Sequence, residues 1–195
     1  MTPPESLRER KQRRAREAIV DAAYALFAER GFDQVTVADI AERAEVGRTT
    51  FFRYFGDKQE VLFGSDEQAR ITLNEVGVPD TGQPIGDSLA AALSLTRVLV
   101  NRYVRRIVQP ADRFLLHERL VEDHPELLAR GLVKQRTYAE LLRGWLVEHG
   151  ATPVVAGLAA ELGLACYYAG RAAAGPSPAG LADAVDEAFG LLTER

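Results

Sequence analysis

Residues 35–58 read VTVADIAERAEVGRTTFFRYFGDK and decide the fold of the first part of this 195-residue chain. Thr36 precedes an apolar helical pattern and Asp39 follows at the third helical position, which together predict a capping box. Val35 and Ile40 supply the apolar pair that staples such a helix start. The sequence therefore marks the beginning of a helix with side chains that satisfy its free amide groups.

The same stretch predicts a second short helix close behind the first. The first helix runs to about Ala44, residues 45–47 form a break, and the second helix spans residues 48–55. Asp57 then caps a further helix, with Glu60 at its third position as a second capping box. Two short helices joined by such a turn predict a helix-turn-helix, whose second helix enters a DNA major groove about 12 Å wide.

Helical patterns also cover the rest of the chain. Apolar residues in the range 19–27 recur at helical spacing, and Gly31 ends that helix. The helix capped by Asp57 is predicted to run to about Val76, before a loop at residues 78–84. No segment alternates as a strand does, so the predicted fold class is all-α. The later helices are predicted at residues 85–108, 110–122, 125–149, 153–173 and 178–193, with His124, Thr152 and Ser177 as N-caps of the last three.

Composition and charge limit the classes of function. With 47% hydrophobic and 27% charged residues the chain is globular, and its net charge of −4 excludes an overall basic coat. The segment between Arg8 and Arg16 nevertheless carries six basic residues against Glu9 alone. This basic arm predicts a polyanion partner at one end of the chain or, equally well, a solvated arm that keeps the protein soluble.

Two further features concern the cellular location. The N-terminal residues lack the apolar core of a secretory signal, and the single cysteine, Cys166, excludes an internal disulfide, so a cytoplasmic protein is expected. Residues 154–170 are apolar but shorter than the ~20 residues of a membrane span. Glu161 lies in their middle, and we therefore predict a helix buried against other parts of the protein.

The second short helix carries the side chains expected to read DNA. Arg48 can pair with both acceptors of a guanine edge, while the two threonines that follow it can approach a thymine methyl group or a phosphate. Phe51 and Phe55 lie one turn apart and can bury the opposite face. Lys58 can reach a phosphate together with the free amides of the next helix. The predicted DNA contacts are Arg48, Thr49, Thr50, Arg53, Tyr54, Lys58 and Thr36.

These residues resemble a known family. Residues 35–58, with residues 19–32 before them, resemble the DNA-binding domain of TetR-type transcriptional regulators over about residues 14–62. The resemblance implies an all-α homodimer with a ligand-binding C-terminal domain, and release of operator DNA when a ligand binds. It implies a basic arm and a three-helix DNA-binding domain in residues 1–58, and a ligand-binding and dimerisation domain in residues 59–195.

Three positions depart from the pattern of this family. Glu45 stands where the family often has glycine, so a left-handed backbone there would cost about 1–2 kcal/mol. Thr49 replaces a common small glycine, which changes the surface offered to bases. Phe52 stands where a tyrosine commonly contacts phosphate, which leaves Tyr54 as the expected phosphate donor.

The C-terminal region resembles the subgroup whose ligand domain is described as acyl-CoA-like. The resemblance lies in residues 124–127, Trp145 and the small-residue helix at residues 154–174. Large residues at helical spacing also fill cores, and cations such as Arg106 also form solvated faces, so both alternatives stay open. The candidate ligand-binding residues are Tyr103, Arg106, Phe114, Tyr138, Leu142, Trp145 and Tyr168.

The last two predicted helices are rich in alanine, glycine and leucine, which permits close approach between helices. In this family such a pair forms a four-helix bundle with its copy in the dimer. The candidate interface residues are Ala156, Ala160, Leu164, Tyr167, Ala184, Phe189 and Leu192.

The resulting prediction is a ligand-responsive transcriptional repressor that binds a pseudo-palindromic operator as a homodimer and is released by an unknown small molecule. The alternative is a helical protein-interaction module without DNA binding, and a helical ligand-binding enzyme is a third hypothesis. The sequence lacks a dinucleotide-binding glycine motif, a phosphate loop and a nucleophile elbow, and its three histidines lack metal-ligand spacing. We therefore expect no enzymatic activity, no cofactor, no metal and no membrane partner.

Overall fold

The computed structural model describes residues 6–64, 69–70, 73 and 84–193. Within these residues the regular structure is helical, apart from one isolated β-bridge between Gly86 and Ala151, and the predicted all-α fold class is confirmed. The chain divides into two compact units, Met1–Ser65 and Asp66–Arg195.

One long helix organises the N-terminal unit. Its described helices are α1 (Leu7–Arg30), α2 (Val37–Arg43), α3 (Arg48–Tyr54) and α4 (Lys58–Phe63). α1 packs against α2 and α4, and α2 packs against α3. The basic segment between Arg8 and Arg16, predicted as an arm, forms the first turns of α1. Gly31, at φ +78°, ends α1 as predicted.

The core of the N-terminal unit is apolar and partly aromatic. The ring centroids of Phe27 and Phe32 lie 5.2 Å apart, and those of Phe51 and Phe55 lie 5.8 Å apart. Burial of these rings at α1 and α3 removes apolar surface from water, which is the main force that holds the helices of this unit together. The largest fully buried side chains of this unit are Phe27, Phe51, Phe55, Ile19, Leu26, Ile40 and Val35.

The predicted long helix from Asp57 to about Val76 is wrong in its length. α4 ends at Phe63 because Gly64, at φ +74°, leaves the helical conformation there. Residues 69, 70 and 73 are again helical, and the remainder of that predicted helix and the loop at 78–83 lie outside the described residues. Since α4 packs on α1, the compact unit extends to Ser65, beyond the predicted boundary at residue 58.

The C-terminal unit is arranged around a central helix. Its longer helices are α5 (Leu89–Ile107), α6 (Ala111–Asp123), α7 (Pro125–Glu148), α8 (Pro153–Ala174) and α9 (Leu181–Thr193). α8 packs against α5, α7 and α9, and α6 packs against α7. α9 begins three residues later than its predicted start at Pro178, because the Ser177 hydroxyl accepts a hydrogen bond from the Ala179 amide in a local turn.

Small residues of α8 allow this central position. A methyl group added at Gly170 would lie 2.6 Å from Cα of Val185 in α9, so the two backbones pass in close contact. The close approach therefore occurs within one chain. Ala156, Ala160 and Phe189 are buried in this unit, which corrects their prediction as dimer contacts because they face the interior of their own chain.

Among the described residues, α8 is the helix whose length and composition would allow it to cross a membrane. Three helices of the same chain pack against it, as predicted for residues 154–170, although Val154 and Leu158 remain exposed on its other side.

Candidate nucleic-acid interface

α3 is a short helix with one buried face and one open face. Phe51 and Phe55 are buried at 0% and 1% exposure, which confirms the predicted apolar back face. Arg48, Thr49 and Arg53 are exposed on the other face, and Thr50 and Tyr54 are half-buried. Within its unit, the N-terminal end of α3 is thus open to a partner, as entry into a major groove requires.

The turn between α2 and α3 is a Schellman motif. The Val46 amide donates to the Ala41 carbonyl over 2.9 Å, and the Glu45 amide donates to the Glu42 carbonyl over 3.0 Å. Glu45 occupies the left-handed position of this motif at φ +54°, in the conformation that the glycine of the family would adopt at lower cost. The turn keeps its geometry despite this residue because its two hydrogen bonds satisfy the last carbonyls of α2.

Polar side chains fix α2 in place. The predicted capping box is confirmed, since the Thr36 hydroxyl accepts from the Asp39 amide while the Asp39 carboxylate accepts from the Thr36 amide. The Thr36 hydroxyl also donates to the Asp39 carboxylate, and this bond, with that from the Thr36 amide, holds the pKa of Asp39 below its usual value. Arg43 donates to both carboxylate oxygens of Glu29 in α1 over 2.7 Å, and these bonds lower the pKa of Glu29.

The second capping box differs in one bond from the prediction. The Asp57 carboxylate accepts from the Glu60 amide over 2.8 Å, as predicted. The Glu60 carboxylate, however, accepts from the amide of Gly56 over 2.8 Å and not from that of Asp57. The pair still satisfies two amides at the start of α4, which places Lys58 at its first position.

The ammonium group of Lys58 lies against the loop between α1 and α2. It donates to the carbonyl of Phe32 over 2.8 Å and to that of Val35 over 3.0 Å, and it lies 4.2 Å from the centroid of the Phe32 ring. A lysine at the first turn of a helix opposes the helix dipole, and these contacts explain its presence without a phosphate. Its predicted phosphate contact stays a prediction.

Two arginines of the basic surface pack on aromatic rings. The Arg16 guanidinium of α1 lies 5.1 Å from the Phe55 ring centroid, and that of Arg53 lies 5.0 Å from the Tyr54 ring centroid. Phe52, which replaces the tyrosine of the family, is 55% exposed on the open face of α3. A large apolar side chain next to Arg53 and Thr49 therefore belongs to the surface that would face DNA.

The candidate ligand-binding residues fall into two groups. Phe114, Leu142 and Trp145 are buried in two apolar clusters of the C-terminal unit, so they fill cores. Tyr103, Tyr138 and Tyr168 lie in a row of tyrosines that also includes Tyr167, which is a candidate dimer contact. Arg106 is exposed on α5.

Four charged or titratable residues near these tyrosines were not among the candidates. Glu118 of α6 forms an ion pair with Arg171 of α8, and burial raises the pKa of Glu118 despite that cation. Burial and the charge of Arg171 lower the pKa of His117 to about 4. Lys134 is 7% exposed. Lys134 shares a face of α7 with Leu127 and Tyr138, and this helical spacing is the signal in the sequence that indicates its burial.

Comparisons with known proteins agree with this geometry. Residues 19–64 match the sequence profile of bacterial regulatory proteins of the tetR family. The chain is 34% identical to the uncharacterized HTH-type transcriptional regulator YdeS of Bacillus subtilis (strain 168), over 61% of this chain and 63% of that protein. It is 35% identical to the HTH-type transcriptional regulator TcmR of Streptomyces glaucescens, over 65% of this chain and 56% of that protein. The match thus spans less than two thirds of either relative.

A solved structure supports the fold over most of the chain. The structure of a SmeT–triclosan complex covers 91% of this chain and 90% of its own, with a TM-score of 0.52 and 18% sequence identity. At this identity the likeness shows the shared all-α fold.

Proposed function

Because the chain belongs to the TetR family of bacterial regulatory proteins, we propose that it is a transcriptional repressor that binds operator DNA as a homodimer in the cytoplasm. A small-molecule effector bound in the C-terminal unit would release it from DNA. In a dimer the two α3 helices would enter successive major grooves, about 34–36 Å apart or a multiple of that distance.

The open face of α3 is the observation that carries this proposal. Arg48 and Thr49 are exposed at the N-terminal end of a helix whose opposite side is buried by Phe51 and Phe55. A helix about 10–12 Å across fits a major groove, and an arginine there can donate two hydrogen bonds to one guanine. The apolar back face holds the helix on its own unit while the polar face reads bases.

Phosphate contacts would come from residues around α3. The basic first turns of α1, the exposed Arg53 and the Tyr54 hydroxyl supply donors, and Thr36 lies exposed at the start of α2. We propose these as contacts that position the protein on DNA without reading its sequence.

The homodimer would form through α8 and α9. Their exposed apolar side chains include Val154 at 80%, Leu158 at 47%, Leu191 at 73% and Leu192 at 43% exposure. Apolar residues exposed together on adjacent helices are typical of a surface that another protein covers. This set replaces the buried alanines and Phe189 as the proposed interface.

The effector would act by favouring a dimer in which the two α3 helices no longer match the operator spacing. A shift of the DNA-competent fraction from 99% to 1% needs about 5.5 kcal/mol of differential binding. The resemblance of the C-terminal region suggests an acyl-CoA-like effector, but Leu142 and Trp145 are packed in a core.

A selection of bound duplexes from random DNA, followed by mobility shifts with the full chain, tests the function. We expect a pseudo-palindromic consensus, and Arg48→Ala should weaken its binding by about 1–3 kcal/mol and relax one base position in each half-site. Lys11→Ala serves as a control that keeps the consensus. A protein-interaction module predicts no binding to any duplex at low salt, and that result would overturn the proposal.

A further inference from the structure

α3 carries a large apolar side chain on the face that would meet DNA. Phe52 is 55% exposed, whereas Phe51 and Phe55 of the same helix end are buried at 0% and 1%. An exposed ring contributes little to the fold, because apolar stabilisation depends on the surface that is removed from water. Single exposed apolar residues are common on protein surfaces, so exposure alone assigns no role. What assigns a role to Phe52 is its place on the helix.

Phe52 lies in the middle of the exposed face of α3. At about 100° per residue, its side chain points about 40° from the direction of Arg48 and about 60° from that of Thr49, between the two. All three side chains are exposed. A DNA duplex that contacts both Arg48 and Thr49 therefore also covers the Phe52 ring.

The Phe52 ring is supported on one side and open on the other. Its centroid lies 5.5 Å from that of the buried Phe51 ring, and the two ring planes cross at 84°. The guanidinium of the next residue, Arg53, stacks elsewhere, since it lies 5.0 Å from the centroid of the Tyr54 ring and donates to the Tyr54 hydroxyl over 3.4 Å. The outer surface of the Phe52 ring is thus available to a partner.

The floor of a major groove offers an apolar group only at thymine. The edges of guanine, adenine and cytosine present hydrogen-bond donors and acceptors, whereas thymine adds a C5 methyl group. A phenyl ring over polar base edges removes their water and offers no hydrogen bond in return, which costs free energy. The same ring over a methyl group removes apolar surface of both partners from water. The chemistry of the ring therefore favours thymine.

We infer that the Phe52 ring packs against a thymine methyl group in each operator half-site, next to the base pair that Arg48 contacts. The inference rests on the proposed function, in which α3 enters the major groove, and it names a base that this surface selects. It differs from the phosphate contact of a tyrosine hydroxyl that the family resemblance implies at this position. Phenylalanine lacks that donor, so a contact that is independent of sequence is replaced by one that depends on the base.

Deoxyuridine tests the inference, because it lacks only the methyl group of thymidine. In a duplex with the consensus selected by the full chain, each thymidine is replaced in turn by deoxyuridine, and mobility shifts give the affinity. We expect one position in each half-site at which this replacement weakens wild-type binding roughly 2- to 8-fold, as loss of one buried methyl group implies. The Phe52→Ala variant should bind the thymidine duplex more weakly than wild type and should not distinguish thymidine from deoxyuridine at that position.

Two further variants distinguish the ring from its neighbour on the same face. Thr49→Ser is the matched control, since it removes the methyl group of Thr49, keeps its hydroxyl and should leave the difference between thymidine and deoxyuridine unchanged. Phe52→Leu offers less apolar surface than the ring and should reduce that difference, which keeps the test decisive if Phe52→Ala does not fold.

Three results would overturn the inference while the proposed function stands, because in each of them the chain still selects a DNA consensus. Wild type binds thymidine and deoxyuridine duplexes equally at every position, or the difference persists in Phe52→Ala, or it disappears in Thr49→Ser. A difference that persists in Phe52→Ala, with all duplexes bound more weakly, would place the ring against the sugar-phosphate backbone. A chain that selects no consensus from random DNA overturns the proposed function, and the inference with it.

Discussion

At the scale of single residues, Lys58 links three parts of the N-terminal unit. It begins α4, and its ammonium group donates to the carbonyls of Phe32 and Val35 in the loop that leads into α2. Because Val35 directly precedes the N-cap Thr36, these bonds fix the start of α2. The position of α3 depends in turn on α2, so Lys58 is a positioning residue for α3, the helix proposed to read DNA.

We expect Lys58→Met to lower the free energy of unfolding by about 1–2 kcal/mol, because methionine keeps the contact with the Phe32 ring but cannot donate the two charged hydrogen bonds. Urea unfolding of the full chain, together with hydrogen exchange of the α2 and α3 amides, measures the change. Lys11→Met, on the exposed surface of α1, is the control and should have almost no effect. If Lys58→Met leaves stability unchanged but weakens DNA binding, the main role of Lys58 is instead to contact a phosphate.

His117 makes the stability of the C-terminal unit depend on pH. Its pKa is about 4 in the folded chain and 6.5 as the ordinary value, so between these values the unfolded chain binds the extra proton. Stability is therefore fully present above pH 6.5 and falls as the pH is lowered towards 4.

We expect His117 to make the free energy of unfolding about 1–2 kcal/mol lower at pH 5 than at pH 7, after allowance for its partial exposure. Urea unfolding at several pH values gives the free energy of unfolding as a function of pH. His117→Gln should reduce the slope of this dependence between pH 7 and 5. His124→Gln, at the start of α7, is the comparison variant. Equal slopes for wild type and His117→Gln would contradict the assignment.

At the scale of helices, end signals and close contacts have different origins. Thr36 and Asp57 cap their helices through bonds to residues three positions away, so these starts are encoded locally. The contact of α8 with α9 depends instead on Gly170 and Val185, residues distant in sequence. A glycine inside a helix is a cost unless such a contact needs it.

Two glycine variants distinguish a glycine that a close helix contact requires from a glycine that only lowers helix stability. Gly170→Ala should lower the free energy of unfolding by about 1–3 kcal/mol, because its methyl group has no space beside the Val185 backbone. Gly144→Ala in α7 should raise it by about 0.5–1 kcal/mol, because nothing lies within 4 Å of the added methyl group. Thermal unfolding monitored by circular dichroism gives both values. A stabilising Gly170→Ala would show that α8 and α9 can separate without loss.

At the scale of the whole molecule, charge is divided along the chain. Residues 1–58 carry a net charge of +1 and the remainder carries −5, although the basic residues concentrate between Arg8 and Arg16. An acidic body repels a polyanion, so the basic first turns of α1 would direct DNA towards the N-terminal unit.

We expect operator affinity to fall steeply with salt, with a log–log slope whose magnitude is about 0.9 for each phosphate that the protein neutralises. The triple variant Arg8→Gln, Arg10→Gln, Lys11→Gln should therefore reduce the magnitude of the slope by about 1–3 and keep the base preference. Mobility shifts at several salt concentrations measure it. Arg119→Gln, on α6 of the C-terminal unit, is the control, and an unchanged slope in the triple variant would exclude α1 from the interface.

The sequence alone determined the elements whose signals are local. The caps at Thr36 and Asp57, the stop at Gly31 and the buried pair Phe51 and Phe55 follow from residues within one or two turns of each other. For the same reason the face of α3 that carries Arg48 was predictable, because helical spacing fixes which side chains share a face.

Only the tertiary structure decided which side chains meet across the chain. Lys58 turns to a loop more than twenty residues earlier, and Ala156 and Ala160 of α8 face their own unit. Tyr103 of α5 meets Tyr138 of α7 and Tyr167 of α8. Periodicity gives the direction of a side chain on its own helix. Its neighbours depend on how several helices pack, and that packing minimises the free energy of the whole core.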